Sequence, residues 1–450
     1  MTAERGDRVV DAPAVSPLHE ARRSRRFDRL HRGPHVPSSF TIAGRSLGAP
    51  AYVGAMAVAV ATLVVRRPAA LTHPTLWAED GPVFLKSAYL DPWYRSLWHP
   101  YNGYLHVGLR IWAELTTWLP ASAVAASYAV FAVVMFPLCL SVVLSRRLRW
   151  LVPSDAARAV LFVALFLIPG ARETLGNLTN VLWPIGIGLT LLSFCAAPHT
   201  RIGRVAELVA LGVGGLTGAT SLLLWPAFGL RWWRQRERHN LHAFGVVLAT
   251  AGVQGAVLIS HPRSGFGLRP AMGSIPRALL LRVWGVLGLS EHILTWHVFS
   301  RPLSLPVVVL CCLLAALTIS AMVALPRIAR TQVASVLALS LGATAWAFDF
   351  NLRDAGSSSA HGRYFLIPDA VILLAVFAAA GTQRWRSRAV GVGVLAPAAL
   401  LFSFAMAKDF RLPATPQTSW ATAAHCISSH QSCRIVMNPS SFSFVLPPVR

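Results

Sequence analysis

Apolar residues in this chain gather into long runs, separated by short basic segments. From the N-terminus the runs cover about 49–65, 121–144, 156–170 and 181–197. Residues 205–230 follow, broken by Gly212 to Gly218 into two short spans with a tight turn. Further runs cover about 242–260, 304–325, 332–349, 365–381 and 389–407. Runs of this kind predict membrane-spanning helices, about eleven in all when 205–230 crosses twice. The expected fold class is all-α, a polytopic transmembrane helical bundle.

The polar remainder sets the organisation. Residues 1–48 carry Arg22, Arg23, Arg25, Arg26, Arg29 and Arg32 among prolines and serines and cannot bury a core. They read as a disordered basic cytoplasmic tail, a topology anchor that can also touch anionic headgroups. Residues 49–407 form the membrane domain, and 408–450 a short C-terminal tail.

Charge orients the spans. With a cytoplasmic N-terminus, the arginines at 146–149, 201–204, 231–238, 327–330 and 384–388 all fall on the cytoplasmic side. The C-terminus then lies outside, in a multi-pass plasma-membrane protein. Arg66 and Arg67 dissent, since this topology puts them outside as well. Composition agrees: the 450 residues are 54% hydrophobic with a net charge of +23, and the excess sits in these clusters. The charge therefore reads as topology in a lipid bilayer rather than as a nucleic-acid footprint.

The inner loops are too short for a catalytic domain, which leaves chemistry to the outer ones. These are 68–120, 171–180, 261–303, 351–364 and the tail from Lys408. Glu79, Asp80, Asp91, Glu114, Glu173, Glu291 and Asp354 all map to this side. The first loop opens with Trp77-Ala78-Glu79-Asp80-Gly81, two adjacent carboxylates near a bilayer, where such groups are costly to keep. Its many Trp and Tyr side chains suit the membrane interface. Residues 103–119, preceded by Asn102, read as an amphipathic interfacial helix. His106, Arg110 and Glu114 share one face of it, either a solvated face with one ion pair or a polar wall with Arg110 holding a phosphate.

In the second loop, Glu173, Asn177 and Asn180 make sense lining a polar cavity. Asn177-Leu178-Thr179 also matches a glycosylation pattern, which short sequences produce by chance. Arg363-Tyr364 stands at the mouth of a span, snorkelling to headgroups or facing a lipid phosphate. Gly265-Phe266-Gly267 lacks the strand that a dinucleotide loop needs, and Glu291, His292 and His297 lack metal-ligand spacing. Cys139, Cys195, Cys311 and Cys312 lie in spans as packing residues. Cys426 and Cys433, seven positions apart in the tail, form a disulfide if the tail is outside, or remain two free thiols.

Together these features resemble the GT-C superfamily of membrane glycosyltransferases. The acidic pair early in a long first outer loop, the helix after it and the late Arg-Tyr pair carry the resemblance, and the residue usage is similar to that of actinobacterial membrane proteins. The resemblance implies a polyprenyl-phosphate sugar as donor and a cell-envelope glycan or lipid as acceptor. It implies that Asp80, or Glu79 as runner-up, acts as base on the acceptor hydroxyl, and that Arg363 and Tyr364 meet the donor phosphate. Some members use a carboxylate to bind a metal, so a divalent ion is left open. The large soluble outer domain of other members is missing here. Three further readings compete: a transporter or flippase for a lipid-linked or polar substrate; a glycan polymerase or ligase using 261–303 with Arg263, Arg269, Arg277 and Arg282; and a membrane scaffold.

Overall fold

The computed structural model describes residues 48–262, 275–297, 304–348, 362–382, 395–411 and 419–448. The N-terminal tail, Gly265 to Gly267, Arg263, Arg269, Asp349, Asp354, His361, the arginines at 384–388 and the side chain of His297 lie outside the described residues.

Among the described residues the fold is all-α apart from one small hairpin. The main helices are α1 (Ala49–Arg66), α2 (Val107–Thr116), α3 (Ala121–Leu140), α4 (Asp155–Phe166), α5 (Leu182–Phe194), α6 (Arg201–Gly215) and α7 (Ser221–Gln235). They continue with α8 (Arg238–Ser260), α9 (Leu305–Ala324), α10 (Arg327–Phe348), α11 (Leu366–Ala380), α12 (Ala396–Lys408) and α13 (Trp420–Ser428). Starts are set by local chemistry. Ser154 accepts from the Ala157 N–H at 3.2 Å to open α4, and Thr200 accepts from Gly203 at 3.1 Å to open α6. Proline at the first turn opens α1, α9 and α12, where its missing N–H costs nothing.

Among the described residues, four segments are long and apolar enough to cross a membrane by length and composition: Ala121–Leu144, Arg238–Ser260, Leu305–Ala324 and Gly362–Ala380. That is fewer than the eleven runs read from the sequence. Helices such as α4, with 12 residues, and α5, with 13, are too short to qualify alone. In the Gly362–Ala380 window 72% is buried, against 17% for Leu305–Ala324. Helix α11 therefore sits in the middle of the bundle, and α9 at its rim.

Hydrogen bonds between helix ends define two ends of the bundle. At one, Arg66 closing α1 donates to the Phe166 carbonyl after α4 at 2.9 Å and to the Asp409 carbonyl after α12 at 3.3 Å. There too Thr344 near the end of α10 bonds the Tyr364 carbonyl at 3.1 Å. At the other, Tyr52 meets Ser141 at 2.7 Å, Trp150 donates to the Phe194 carbonyl at 2.7 Å, and Gln332 donates to the Ser193 carbonyl at 2.7 Å. The main core, with Phe136, Leu165, Ile187, Phe194 and Leu374, fills the space between them.

Two expectations are corrected. Arg66 and Arg67 are not loose topology signals. Arg66 is 1% exposed and spent on backbone carbonyls, while Arg67 bonds the Leu175 carbonyl and lies over the Trp77 ring. The C-terminal segment is not a bare tail. Its α13 and the antiparallel strands β1 (Cys433–Val436) and β2 (Ser443–Leu446) pack a second core with Leu76, Phe84 and Leu85 of the first loop. Cys426 and Cys433 are joined in a disulfide that ties α13 to β1.

Candidate functional site

The site is built on the turn Trp77–Gly81. Ala78 takes φ +25°, a conformation that costs energy in any residue with a Cβ, and its N–H bonds the Asn438 carbonyl at 2.7 Å. Asn438 in turn donates to the Leu76 carbonyl at 2.9 Å, and its side chain donates to Thr75 Oγ1 at 2.5 Å. Gly81 is required, because a Cβ there would run into Phe444 and Met437 of the hairpin. The C-terminal hairpin thus holds the strained turn in place.

This turn gives its two acids different fates. Asp80 is 1% exposed, and its carboxylate accepts from Trp77 N at 3.1 Å, Leu178 N at 3.4 Å, Thr179 N at 2.7 Å and Thr179 Oγ1 at 2.5 Å. Four donors fill what a carboxylate can accept. Burial pushes its pKa up to about 6, against the pull of the Thr179 and Trp77 hydrogen bonds. Asp80 is thereby the clamp between the first and second loops. Glu79 is half-buried and makes no hydrogen bond or ion pair among the described residues. Its charge is felt by Arg363, which bonds Glu173 at 3.1 Å.

The second loop shapes the floor. Asn177 Nδ2 and Asn180 Nδ2 both donate to the Glu173 carbonyl, at 2.7 and 2.9 Å, and Asn180 also bonds Asn177 Oδ1 at 2.9 Å. The two asparagines brace the backbone, which leaves the Glu173 carboxylate to face Arg363. Tyr364 packs edge-on against Trp183 at 4.9 Å. Glu79, Glu173, Asn177, Asn180, Arg363 and Tyr364 therefore form one group, with Asp80 beneath it.

Beside this group lies a second set of charges that the sequence reading did not assign to the site. Arg282 bonds Glu291 at 3.0 Å. Asp409 caps the short helix Glu291–His297 by accepting from the Glu291 and His292 N–H groups at 2.8 and 3.2 Å. Gly362 passes so close that a Cβ would stand 2.7 Å from the Gly170 carbonyl and 2.8 Å from Glu291 Oε1. Burial pushes the Glu291 carboxyl up to about 8, with Arg282 pulling the other way. Arg172 edges a small notch here with Lys408 and Arg411. No spacing rule links positions 172, 282, 291 and 409, so only the fold could assemble them.

Three expected members stand apart. His106 is 2% exposed, inside a ring of Phe84, Tyr101 and Tyr104, the last 4.6 Å away. Burial, with Arg110 nearby, pushes its pKa down to about 3, so it is neutral. Arg110 donates to Ser87 Oγ at 2.7 Å and lies over Phe84, and the acids near it are Asp91 and Glu114. Asn102 is exposed in the tight turn between Tyr101 and Tyr104 at φ +52°, which asparagine tolerates. Helix α2 therefore turns its cationic face inward, onto the segment after Gly81, and leaves Ile111, Leu115 and Trp118 exposed. That inverts the expected solvated polar face, as suits a helix resting on lipid.

The donor set does not suit a divalent metal. Asp80 has its acceptor positions filled, Glu79 has a guanidinium nearby, and no three His, Cys, Asp or Glu side chains cluster as ligands among the described residues. No family model matches the chain, and no characterised protein or solved structure matches it either.

Proposed function

We propose that the chain is a membrane glycosyltransferase of GT-C type. On this reading it moves a sugar from a polyprenyl-phosphate donor to a glycan or lipid acceptor at the outer face of the plasma membrane. The helices of the bundle all cross, about eleven times, with the N-terminus cytoplasmic and the C-terminus outside. The disulfide of the C-terminal segment fits an oxidising outer side. The alternation of helix ends between two poles fits repeated crossing, short helices being tolerated where neighbours bury them.

One observation carries the chemistry: Glu79 stands without a bonded partner among the described residues, within electrostatic reach of Arg363, on a strained turn that Asp80 and Asn438 immobilise. Glu79, rather than Asp80, is the base. It takes the proton from the acceptor hydroxyl as that oxygen bonds the anomeric carbon. The bond from that carbon to the phosphate oxygen breaks, and the electron pair leaves with the phosphate. The transition state is oxocarbenium-like, and the leaving phosphate needs a cation more than an acid. Arg363 supplies the charge, with Glu173 orienting it.

The test is transfer of labelled sugar from a polyprenyl-phosphate sugar in membranes that contain the protein. Glu79→Gln should abolish transfer at unchanged protein level, while Arg363→Lys should retain part of it. Normal transfer by Glu79→Gln overturns the role of Glu79. Failure of the wild type with every polyprenyl-phosphate sugar offered overturns the reaction.

A second reading, a transporter, is favoured by the buried acids Glu291 and Asp369. Each leaves one carboxyl oxygen, Oε2 and Oδ1, without a hydrogen-bond partner. Asp369 lies within α11, and an intramembrane acid of that kind serves proton-coupled transport, with Glu291 at its outer mouth. Proton-driven uptake into proteoliposomes, lost in Asp369→Asn, would favour it over transfer.

A further inference from the structure

At the end of the bundle opposite Glu79, a cavity of about 590 Å³ opens between the loop after α3, the α9–α10 turn and the end of α11. Its size is that of a site for a small-molecule or headgroup-sized ligand, roughly 300–1,000 Å³. Its walls are of two kinds. Trp150, Leu151, Leu325 and Ala378 line it with apolar surface. Arg327 and Arg330 edge it with two guanidiniums.

Those guanidiniums are not part of the local charge balance. Asp155 is bonded by Arg149 at 2.7 Å and by Arg158. Glu207 is bonded by Arg231 at 2.6 Å and by Arg147. Neither Arg327 nor Arg330 has a side-chain hydrogen bond or ion pair among the described residues, although both border a space that could hold an acceptor.

A third feature runs into the same place. Helix α9 exposes Leu305, Val309, Leu313, Ile319 and Val323, and Val323 also lines the cavity. Spaced mostly four apart, these positions keep to one side of the helix, an apolar track that ends at the two cations. An apolar track leading to paired guanidiniums matches an amphiphile with a hydrocarbon tail and a phosphate head.

We propose that this cavity binds the phosphate-bearing headgroup of an anionic phospholipid, with its acyl chains lying along the exposed face of α9. The ligand chemistry is a phosphate diester, held by Arg327 and Arg330. The proposal is independent of any transfer reaction at the other end.

The test uses the full chain in phosphatidylcholine nanodiscs, with phosphatidylglycerol as the probe and bound lipid counted by native mass spectrometry. Phosphatidylglycerol should be retained roughly tenfold more tightly than phosphatidylcholine, about what one to two cations contribute at an anionic headgroup. R327Q/R330Q should lose that preference and R327K/R330K should keep it, both with the wild-type melting temperature in pure phosphatidylcholine. Equal retention of the two lipids by the wild type overturns the proposal, as does an undiminished preference in R327Q/R330Q. The wild type gives a reading that needs no variant. Failure of millimolar inorganic phosphate to displace the lipid supports a lipid site. Full displacement overturns the lipid assignment in favour of a free-anion site.

Discussion

The two ends of the bundle both bury acids among arginines, but they treat them in opposite ways. Glu207, 4% exposed, is closed in by Arg147, by Arg231 at 2.6 Å and by His239 at 3.5 Å. Glu79, at the other end, makes no hydrogen bond or ion pair among the described residues, while Arg363, within its electrostatic reach, is paired with Glu173. The first arrangement pairs the carboxylate with cations from neighbouring elements and holds α6, α7 and α8 together. The second leaves a charge poised on a turn that costs energy to keep. Proteins tolerate such local expense where chemistry needs it and compensate elsewhere. On the proposed function, the Glu79 end is the working end and the Glu207 end the structural one.

The sharpest way to break that contrast is to remove each acid. Glu79→Gln should lower sugar transfer by about 10²–10⁴-fold, the usual worth of a general base, with no change in melting temperature. Glu207→Ala should do the reverse. It should destabilise the protein by about 3–5 kcal/mol, because the buried Arg231 loses its charge partner and the half-buried Arg147 loses one too, and leave activity per folded molecule intact. Equal loss of transfer in the two variants would erase the distinction.

Asp80 sharpens the same comparison through pH. Its proton is held up to about 6 in the fold and at the ordinary 3.8 in the unfolded chain. A raised acid stabilises the fold fully below the unfolded value and loses that contribution as pH rises through the folded one. Melting temperature should therefore fall between about pH 4 and 6, by the equivalent of roughly 3 kcal/mol. Asp80→Asn should make that part of the curve shallower. The further fall toward about 8, which belongs to Glu291, should remain.

Smaller effects test the clasp on the working end. Cys426→Ser with Cys433→Ser should cost about 2 kcal/mol, as expected for closing a short loop, and should loosen the first loop by hydrogen exchange while the Glu207 end keeps its protection. Asn438→Ala removes the hydrogen bond to Thr75 and should cost about 1 kcal/mol. Its loss of transfer should exceed its loss of stability if the clasp positions Glu79.

Much of this was legible in the sequence, and the rest was not for identifiable reasons. Apolar runs marked the helices because burial and period depend on near neighbours. The Trp77–Gly81 motif stood out because carboxylates are rare beside such runs. The division of labour between Glu79 and Asp80 was hidden, since adjacent acids look alike until Thr179, 99 positions away, bonds only one of them. The inward turn of Arg110 depended on Ser87 and Phe84, on a different segment. Arg66 read as a topology signal because its carbonyl partners lie 100 and 343 positions away. The segment 408–450 read as a short tail because its apolar residues are scattered rather than gathered in a run, and its core is completed by the first loop.

The bond between Asn438 and Thr75 joins residues 363 positions apart. Synthesis runs from the N-terminus, so the turn bearing Glu79 leaves the ribosome long before its clasp has been made. Until residue 438 has been translated, Ala78 lacks the carbonyl that holds its N–H, and the turn rests on the bonds of Asp80 alone. A chain that stops short can insert its helices and still carry an open, unready site. On the proposed function, transfer would then require the chain to be made at least as far as its clasp.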